Sequence, residues 1–324
     1  MAFGAVMAWL PIEDNPVVSI LQGVVGACGT TLMCNLFRVS LFVRYTRYTP
    51  ADGTSERPNG ETKSIGRLSS GIQFILLTGV LSLVGPRVSS LIVLEFCLRA
   101  VLASLIFGQG SLHEVTKQFL IQCQFSLGCA LTCTLQYLHG GAPHRGLSLL
   151  LAAGLCWFLA KQGQRLWAHV GQLYPKHYSR RDCGVCLTLV SSRDALLPTL
   201  RRSVVMVFTI ASVAATAVVC QHFLLGAEDL RFWAPMTLCY VLLLLRVLED
   251  QQNSPGGEAM LRSAGLRVVA LFLWLLMVGN FTDVLQVLFC FLGESVCLLP
   301  SLGLLRSTVP PEDDQDPHGP SSSE

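Results

Sequence analysis

Two oppositely charged side chains, Glu95 and Arg99, lie four residues apart in the apolar segment VLEFCLRAV at 93–101. In a helix this spacing places both on one face with the acid first, which is the favourable order for an ion pair. Charged side chains within membrane helices often line a pathway or bind a ligand. A self-neutralising pair that only fixes the rotation of its helix is the alternative, and the sequence leaves both open.

The energy of inserting this segment into a membrane depends on the two charges. Twelve Leu, Ile, Val or Phe residues between Val88 and Phe107 contribute roughly −4 to −7 kcal/mol. Two charges near the centre of the helix cost roughly +5 to +7 kcal/mol. The helix is therefore near break-even by itself, and we expect the pair to be buried inside a helical bundle.

Asp283 and Glu294 form a second polar set, with Asn280, in the last apolar stretch of the chain. If the chain turns near this point, Asn280 and Asp283 are turn residues at the membrane interface. Glu294 is then buried in mid-helix and needs a cationic partner, for which the Arg99 region is a candidate.

Cys183 and Cys186 form a lone CxxC motif in a polar connection. A zinc site needs further ligands at a suitable spacing. His169 and His177 lie nearby, but the spacing from His169 to Cys183 fits no common arrangement, so no metal ligand set and no cofactor are predicted. A thioredoxin-type redox role needs a strand-to-helix setting, which the sequence lacks. Structural cysteines, reversible lipidation, metal binding and redox chemistry remain the alternatives.

The composition places these residues in a membrane protein. Of 324 residues, 14% are charged, against about 25% in globular chains. Hydrophobic residues make up 52%, and the mean hydropathy is +0.53. So few charges could not cover the surface of a soluble protein of this length. The net charge of +2 indicates no nucleic-acid partner, and the sequence contains no catalytic motif, so we expect no enzyme activity.

Apolar segments recur along the chain and predict an all-α, multi-pass membrane protein. They predict about eight transmembrane helices, within a range of seven to nine, at 17–43, 68–85, 88–107, 118–138, 147–160, 203–225, 233–248 and 268–305. The segment 147–160 is shorter than the ~20 residues that span a bilayer, so it must borrow from its flanks or tilt little. The segment 268–305 is roughly 57 Å long as one helix, and predicts either a hairpin or one span with an interfacial piece.

Three parts make up the predicted domain organisation. Residues 1–16 form a short non-cytosolic segment, 17–305 form the transmembrane bundle, and 306–324 form an acidic tail rich in Pro and Ser that we expect to be disordered. With the N-terminus outside, the inner connections hold eighteen Lys or Arg residues and the outer ones three. This is the bias of the positive-inside rule. The sequence does not indicate which organelle carries the protein.

The polar connection 161–202 is strongly basic, with eight Lys or Arg residues and two Asp residues. Leu166 and Val170 fall on one helical face with Trp167 beside it. This pattern is typical of a basic segment that lies along an anionic lipid leaflet. The alternative is the ordinary excess of basic residues in cytosolic connections. The lipid bilayer is the one partner predicted, and the sequence identifies no protein partner.

Five segments resemble the transmembrane protein 82 family. In chain order they are VLEFCLRAV at 93–101, QCQFSLGCALTC at 122–133, GAPHR at 141–145, CGVCLTL at 183–189 and RFWAPMTLCY at 231–240. The resemblance extends over most of the chain. It implies a multi-pass membrane protein and transfers no catalytic or binding residue.

Two functions from different classes agree with these residues. One is a small-solute carrier or channel-like protein that uses the Glu95–Arg99 region. The other is a non-catalytic scaffold or lipid-organising protein that acts through the basic connection. Flux into reconstituted vesicles would support the carrier. Binding confined to anionic lipids, and lost when the basic connection is neutralised, would support the scaffold.

Overall fold

The structure, a computed structural model, describes residues 16–48, 62–106, 112–139, 144–172, 183–223, 227–253, 257–278 and 281–308. These residues contain nine helices and no strand, which confirms the all-α prediction. The helices are α1 (Pro16–Tyr48), α2 (Thr62–Leu83), α3 (Pro86–Ile106), α4 (Leu112–His139), α5 (Arg145–Gln172), α6 (Gly184–Phe223), α7 (Ala227–Asn253), α8 (Gly257–Val278) and α9 (Phe281–Thr308).

Four of the described helices are long and apolar enough to cross a membrane. The segments are Pro16–Val43 in α1, Pro86–Ile106 in α3, Arg145–Gly171 in α5 and Ala195–Gln221 in α6. A further apolar segment, Gly71–Leu83 in α2, is shorter. These helices support an integral membrane protein with several spans, and they do not confirm the predicted number of about eight.

The bundle carries apolar side chains on its outer surface and encloses polar ones. The exposed side chains of α5 and α6 include Leu147, Leu151, Leu155, Phe158, Val205, Met206, Ile210 and Val213. The buried polar side chains include Gln22, Asn35, Glu95, Arg99, Gln122, Gln124 and Arg267. Polar groups inside and apolar groups outside are what a bundle surrounded by hydrocarbon requires.

Small residues allow α1 to approach its neighbours closely. A Cβ atom at Gly26 would lie 2.9 Å from Leu81 Cδ1 in α2 and 3.1 Å from the backbone oxygen of Gly128 in α4. At Gly23 it would collide with Ser82 Oγ in α2. Because membrane helices associate by close packing rather than by the hydrophobic effect, these glycines fix the contacts of α1.

Two predicted connections are in large part helical. α5 runs to Gln172 and α6 begins at Gly184, so the interpretation of 161–202 as one loop is wrong. The segment 147–160 does borrow from its C-terminal flank, as predicted. α8 begins at Gly257, so the second half of the predicted connection 246–267 is helical. These helix ends were missed because Lys and Arg interrupt an apolar pattern and so mark a connection by hydropathy, although both are good helix formers.

The long apolar segment 268–305 falls in two helices, α8 and α9, which pack against each other. α9 runs antiparallel to α2. The Gly85 amide donates to Gln286 Oε1 at 3.0 Å near one end, and Gln73 Nε2 donates to the Val296 carbonyl oxygen at 3.2 Å towards the other. α9 also folds back on α8, since Arg267 of α8 contacts Glu294 of α9, and this favours the hairpin over one span with an interfacial piece.

The helix ends meet at two opposite ends of the bundle. The start of α1, the α2–α3 connection and the start of α9 share one end, as the Gly23–Ser82 and Gly85–Gln286 contacts show. At the other end, α1, α5 and α6 meet in a separate apolar cluster. This end cluster consists of Val39, Val43, Val170, Cys186 and Leu189, with Phe42, Leu166, Trp167, Cys183 and Leu196 packed around it.

Candidate functional site

Four charged side chains from α3, α8 and α9 form a network in the interior of the bundle. Arg267 of α8 is at its centre. Its Nη1 donates to both carboxylate oxygens of Glu95, at 3.2 and 3.3 Å, and its Nη2 donates to Glu294 Oε1 at 2.7 Å. Arg99 is the fourth member. We call these four residues the charge network, and its two cations balance its two anions when all four are ionised.

Arg99 is the most deeply buried member, with an exposed fraction of 0%. Its Nε lies 3.9 Å from Glu95 Oε1, which makes an ion pair but is too long for a hydrogen bond. None of its three guanidinium nitrogens has a hydrogen-bond partner among the described residues. The rings of Phe96 and Phe119 lie 5.2 and 5.9 Å from the guanidinium carbon, within the range of cation–π attraction. Within the part of the chain that the structure describes, its donors are therefore unused, and Glu95 balances its charge at a distance of 3.9 Å.

Aromatic side chains from three further helices enclose this region. Phe119 belongs to α4, and Phe208 of α6 packs on the Phe96 ring with centroids 4.4 Å apart. The phenol of Tyr240 in α7 lies against Glu95. Its buried hydroxyl makes no hydrogen bond of ordinary geometry with the part of the chain that the structure describes. Such surroundings exclude water and strengthen electrostatic interactions.

The structure brings together three of the four predicted intramembrane residues. Glu95, Arg99 and Glu294 belong to the charge network, but the direct partner of Glu294 is Arg267. The sequence interpretation missed Arg267 because it assigned this residue to a connection. The sequence does contain a feature that indicates Arg267. This residue directly precedes the apolar run 268–278, so a helix that begins a few turns before the run places Arg267 within the bundle.

Asp283, the fourth predicted residue, lies apart from the charge network at the start of α9. Its Oδ2 is 3.9 Å from Arg87 Nη1 at the start of α3. The prediction of a position beside a turn fits, and the side chain is buried at this end of the bundle. Asp283 thus links α9 to the α2–α3 connection. Asn280 lies outside the described residues.

The cysteine pair lies at the end cluster, where His169 joins it. His169 Nε2, in the last turn of α5, lies 3.4 Å from Cys186 Sγ and 3.5 Å from Cys183 Sγ. All three ligand atoms are within 4.8 Å of one another. The spacing from His169 to Cys183 fits no common arrangement in the sequence, yet the structure brings the three side chains together. The chain folds the end of α5 back against the beginning of α6, which the spacing did not reveal.

The two thiols differ in their surroundings. Cys183 directly precedes α6, and the backbone N–H groups of Cys186 and Val185 at the helix start hold the pKa of the Cys183 thiol below its ordinary value. Burial raises the pKa of the Cys186 thiol. Cys183 is half-buried and Cys186 is buried, so only Cys183 presents a thiol suited to the lipidation alternative.

The apolar face predicted to lie along a lipid leaflet is already covered. Val170 is fully buried, and Leu166 and Trp167 pack beside it on residues of α1 and α6. Contact of the 161–202 segment with anionic lipid therefore depends on its basic side chains alone, and stays a prediction.

The helical bundle, its apolar exterior and its buried charges define a polytopic membrane protein. The sequence pattern of the family Transmembrane protein 82 matches residues 17–318, nearly the whole chain. The chain belongs to this family, and the resemblance found in its five segments is confirmed. No solved structure matches the chain.

Proposed function

We propose that this protein is a non-enzymatic membrane carrier that binds a small oxyanion at Arg99. One observation supports this above all. Arg99 is fully buried, yet its three guanidinium nitrogens have no hydrogen-bond acceptor within the described residues. A buried charge without a full complement of partners costs several kcal/mol. A bound anion is the kind of group that compensates this cost.

The chemistry of the guanidinium selects the class of solute. Arginine offers five N–H donors in a planar fork that fits two oxygens of a carboxylate or a phosphate. Glu95 does not fill this role, because its Oε1 lies 3.9 Å from Arg99 Nε, which is too far for a hydrogen bond. Phe96 and Phe119 leave the cation desolvated, so a new charge-assisted hydrogen bond there is stronger than in water.

The charge balance of the network adds a requirement. Empty, the two arginines and two glutamates sum to zero, and a monoanion brings the sum to −1. Protonation of Glu95 or Glu294 restores neutrality in a medium where net charge is costly. We therefore expect anion uptake to be faster when the proton concentration is higher on the side of entry.

Vesicle flux tests the proposal. The purified full-length protein is reconstituted into phosphatidylcholine vesicles, and uptake of radiolabelled acetate, succinate and inorganic phosphate is measured, with methylammonium as the cationic probe. We expect saturable uptake of at least one anion. The variant E95Q/R99M keeps the charge balance of the network but lacks the Arg99 guanidinium. A hydrogen bond to a charged group contributes about 1.5–3 kcal/mol, so we expect uptake of the anion to fall about tenfold or more in this variant.

Two controls separate this result from general damage. R246M removes an exposed arginine that, within the described residues, pairs with Glu249 and Asp250 of the same helix, and it should keep wild-type flux. R99K keeps the charge but loses the fork, so it should retain folding with weaker uptake. The proposal would be overturned if wild type and E95Q/R99M took up the anions equally. It would also be overturned if anion uptake did not exceed that of protein-free vesicles, or if methylammonium alone were taken up. Binding to anionic vesicles without flux would favour the scaffold alternative.

We further infer that the N-terminus is non-cytosolic, from the distribution of Lys and Arg in the sequence. The end cluster then lies at the cytosolic end, because it is opposite to the start of α1. In sealed microsomes, protease should cleave the connection 49–61, which contains Arg57, and spare a tag at the N-terminus. Cleavage of the tag with protection of the connection would reverse the orientation.

A further inference from the structure

The end cluster contains a set of nitrogen and sulfur donors that the proposed carrier function does not use. His169 comes from the last turn of α5, and Cys183 directly precedes α6. Cys186 follows three residues later, in the first turn of α6. We propose that these three side chains bind a zinc ion that joins α5 to α6 at this end of the bundle.

The distances from the His169 nitrogen to the two sulfurs fit one tetrahedral ion. Zinc bonds of about 2.3 Å to sulfur and about 2.0–2.1 Å to nitrogen, at tetrahedral angles, place each sulfur about 3.6 Å from the nitrogen. The observed separations from His169 Nε2 are 3.4 Å to Cys186 Sγ and 3.5 Å to Cys183 Sγ. The side chains therefore need no large rearrangement to receive the ion.

The donor types select the metal. Two thiolates and one imidazole are soft or borderline ligands, which suit zinc, whereas calcium and magnesium require oxygen. Two thiolates also neutralise the two charges of Zn²⁺, so the loaded site adds no net charge to the apolar end cluster. Among the described residues these three are the ligands, which leaves the fourth tetrahedral position open to water, as in zinc sites with three protein ligands.

The burial of the ligands favours a site that is both accessible and well supported. Cys183 and His169 are half-buried, so an ion can reach them, while Cys186 is buried. Beneath them lie Val39 and Val43 of α1 and Val170 of α5. This apolar support fixes the two helices so that the three donors face one another before metal binds, which lowers the cost of binding.

Metal analysis of the full-length protein, purified in detergent without chelators and with reduced thiols, tests the inference. We expect about one zinc ion per chain, removable by chelation, and restored by zinc or replaced by Co²⁺. The cobalt form should show thiolate-to-metal charge-transfer absorption together with the intense d–d bands of tetrahedral coordination.

The variants H169A, C183S and C186S should each lose most of the bound zinc and the tetrahedral cobalt spectrum. C220S and H144A remove exposed residues of the same types and should bind like wild type. Because a variant can misfold, the wild-type cobalt titration stands as an independent measurement. The site would be overturned if reduced wild type showed neither zinc nor the cobalt spectrum, or if H169A bound metal like wild type. It would also be overturned by a Cys183–Cys186 disulfide or an acylated Cys183 in protein isolated from cells.

Discussion

The charge network and the group of His169, Cys183 and Cys186 are both polar clusters in an apolar protein, but they are built differently. Arg267 and Glu95 are 172 residues apart and lie deep in the bundle. His169 and Cys186 are 17 residues apart and lie at one end. In the first, the charged groups lie in the interior and pair with one another. In the second, the groups can be neutral until a metal binds. The two clusters should therefore respond very differently to loss of one member.

Removal of the central cation should have the largest effect. In R267M, Glu95 and Glu294 lose the guanidinium that contacts both, so two buried carboxylates share the single remaining arginine. Breaking a buried ion pair by removing one partner costs about 3–5 kcal/mol. The measurement is the free energy of unfolding in a detergent titration, with the yield of monodisperse protein as a second readout.

The matched control for this change is R246M in α7. Arg246 makes a 2.8 Å ion pair with Glu249, but both side chains are more than half exposed, and such pairs contribute at most about 1 kcal/mol. Equal losses in R267M and R246M would mean that the charge network is hydrated, and the contrast between the two clusters would disappear.

A double-mutant cycle on Glu95 and Arg99 should give the next largest effect. E95Q and R99M each leave an uncompensated charge in the interior and should each cost several kcal/mol. E95Q/R99M leaves the balanced pair of Arg267 and Glu294, so its loss of stability should be smaller than that of either single variant. Additive losses in the unfolding free energies would show that the two side chains do not interact.

Chelation should give a smaller effect that depends on metal concentration. Zinc present at 100 times its dissociation constant stabilises the folded state by about 2.7 kcal/mol. The melting temperature of wild type should fall on chelation, and that of H169A should not change. In chelated samples the two proteins should differ little. A large loss in chelated H169A would mean that this imidazole supports the end cluster without metal.

Local periodicity predicted the helices well, and it failed where a contact depends on tertiary packing. The positions of α2, α3 and α4 followed from apolar runs and from the turn at Pro86. Charged residues obscured the true ends of α5, α6 and α8, because hydropathy measures solvent preference rather than backbone conformation.

The candidate site was predicted in the same uneven way. Glu95 and Arg99 were evident from their helical spacing, and the need of Glu294 for a cation was evident from its apolar surroundings. That Arg267 supplies this cation depends on how α8 packs beside α3 and α9, and no spacing rule encodes it. The approach of His169 to the cysteines similarly depends on the return of the chain between α5 and α6.

The position of Arg267 late in the chain has a consequence for biosynthesis. Glu95 leaves the ribosome 172 residues before Arg267, a delay of about 9–34 s at 5–20 residues per second. During this interval Arg99 is the one cation of the charge network that has been synthesised, and the insertion energy of α3 is near zero. The nascent chain must therefore remain within the translocation machinery, or with a chaperone of the membrane, until α8 arrives. In chains stalled before Arg267, α3 should crosslink to the translocation machinery or to such a chaperone, whereas in chains stalled after α9 it should not.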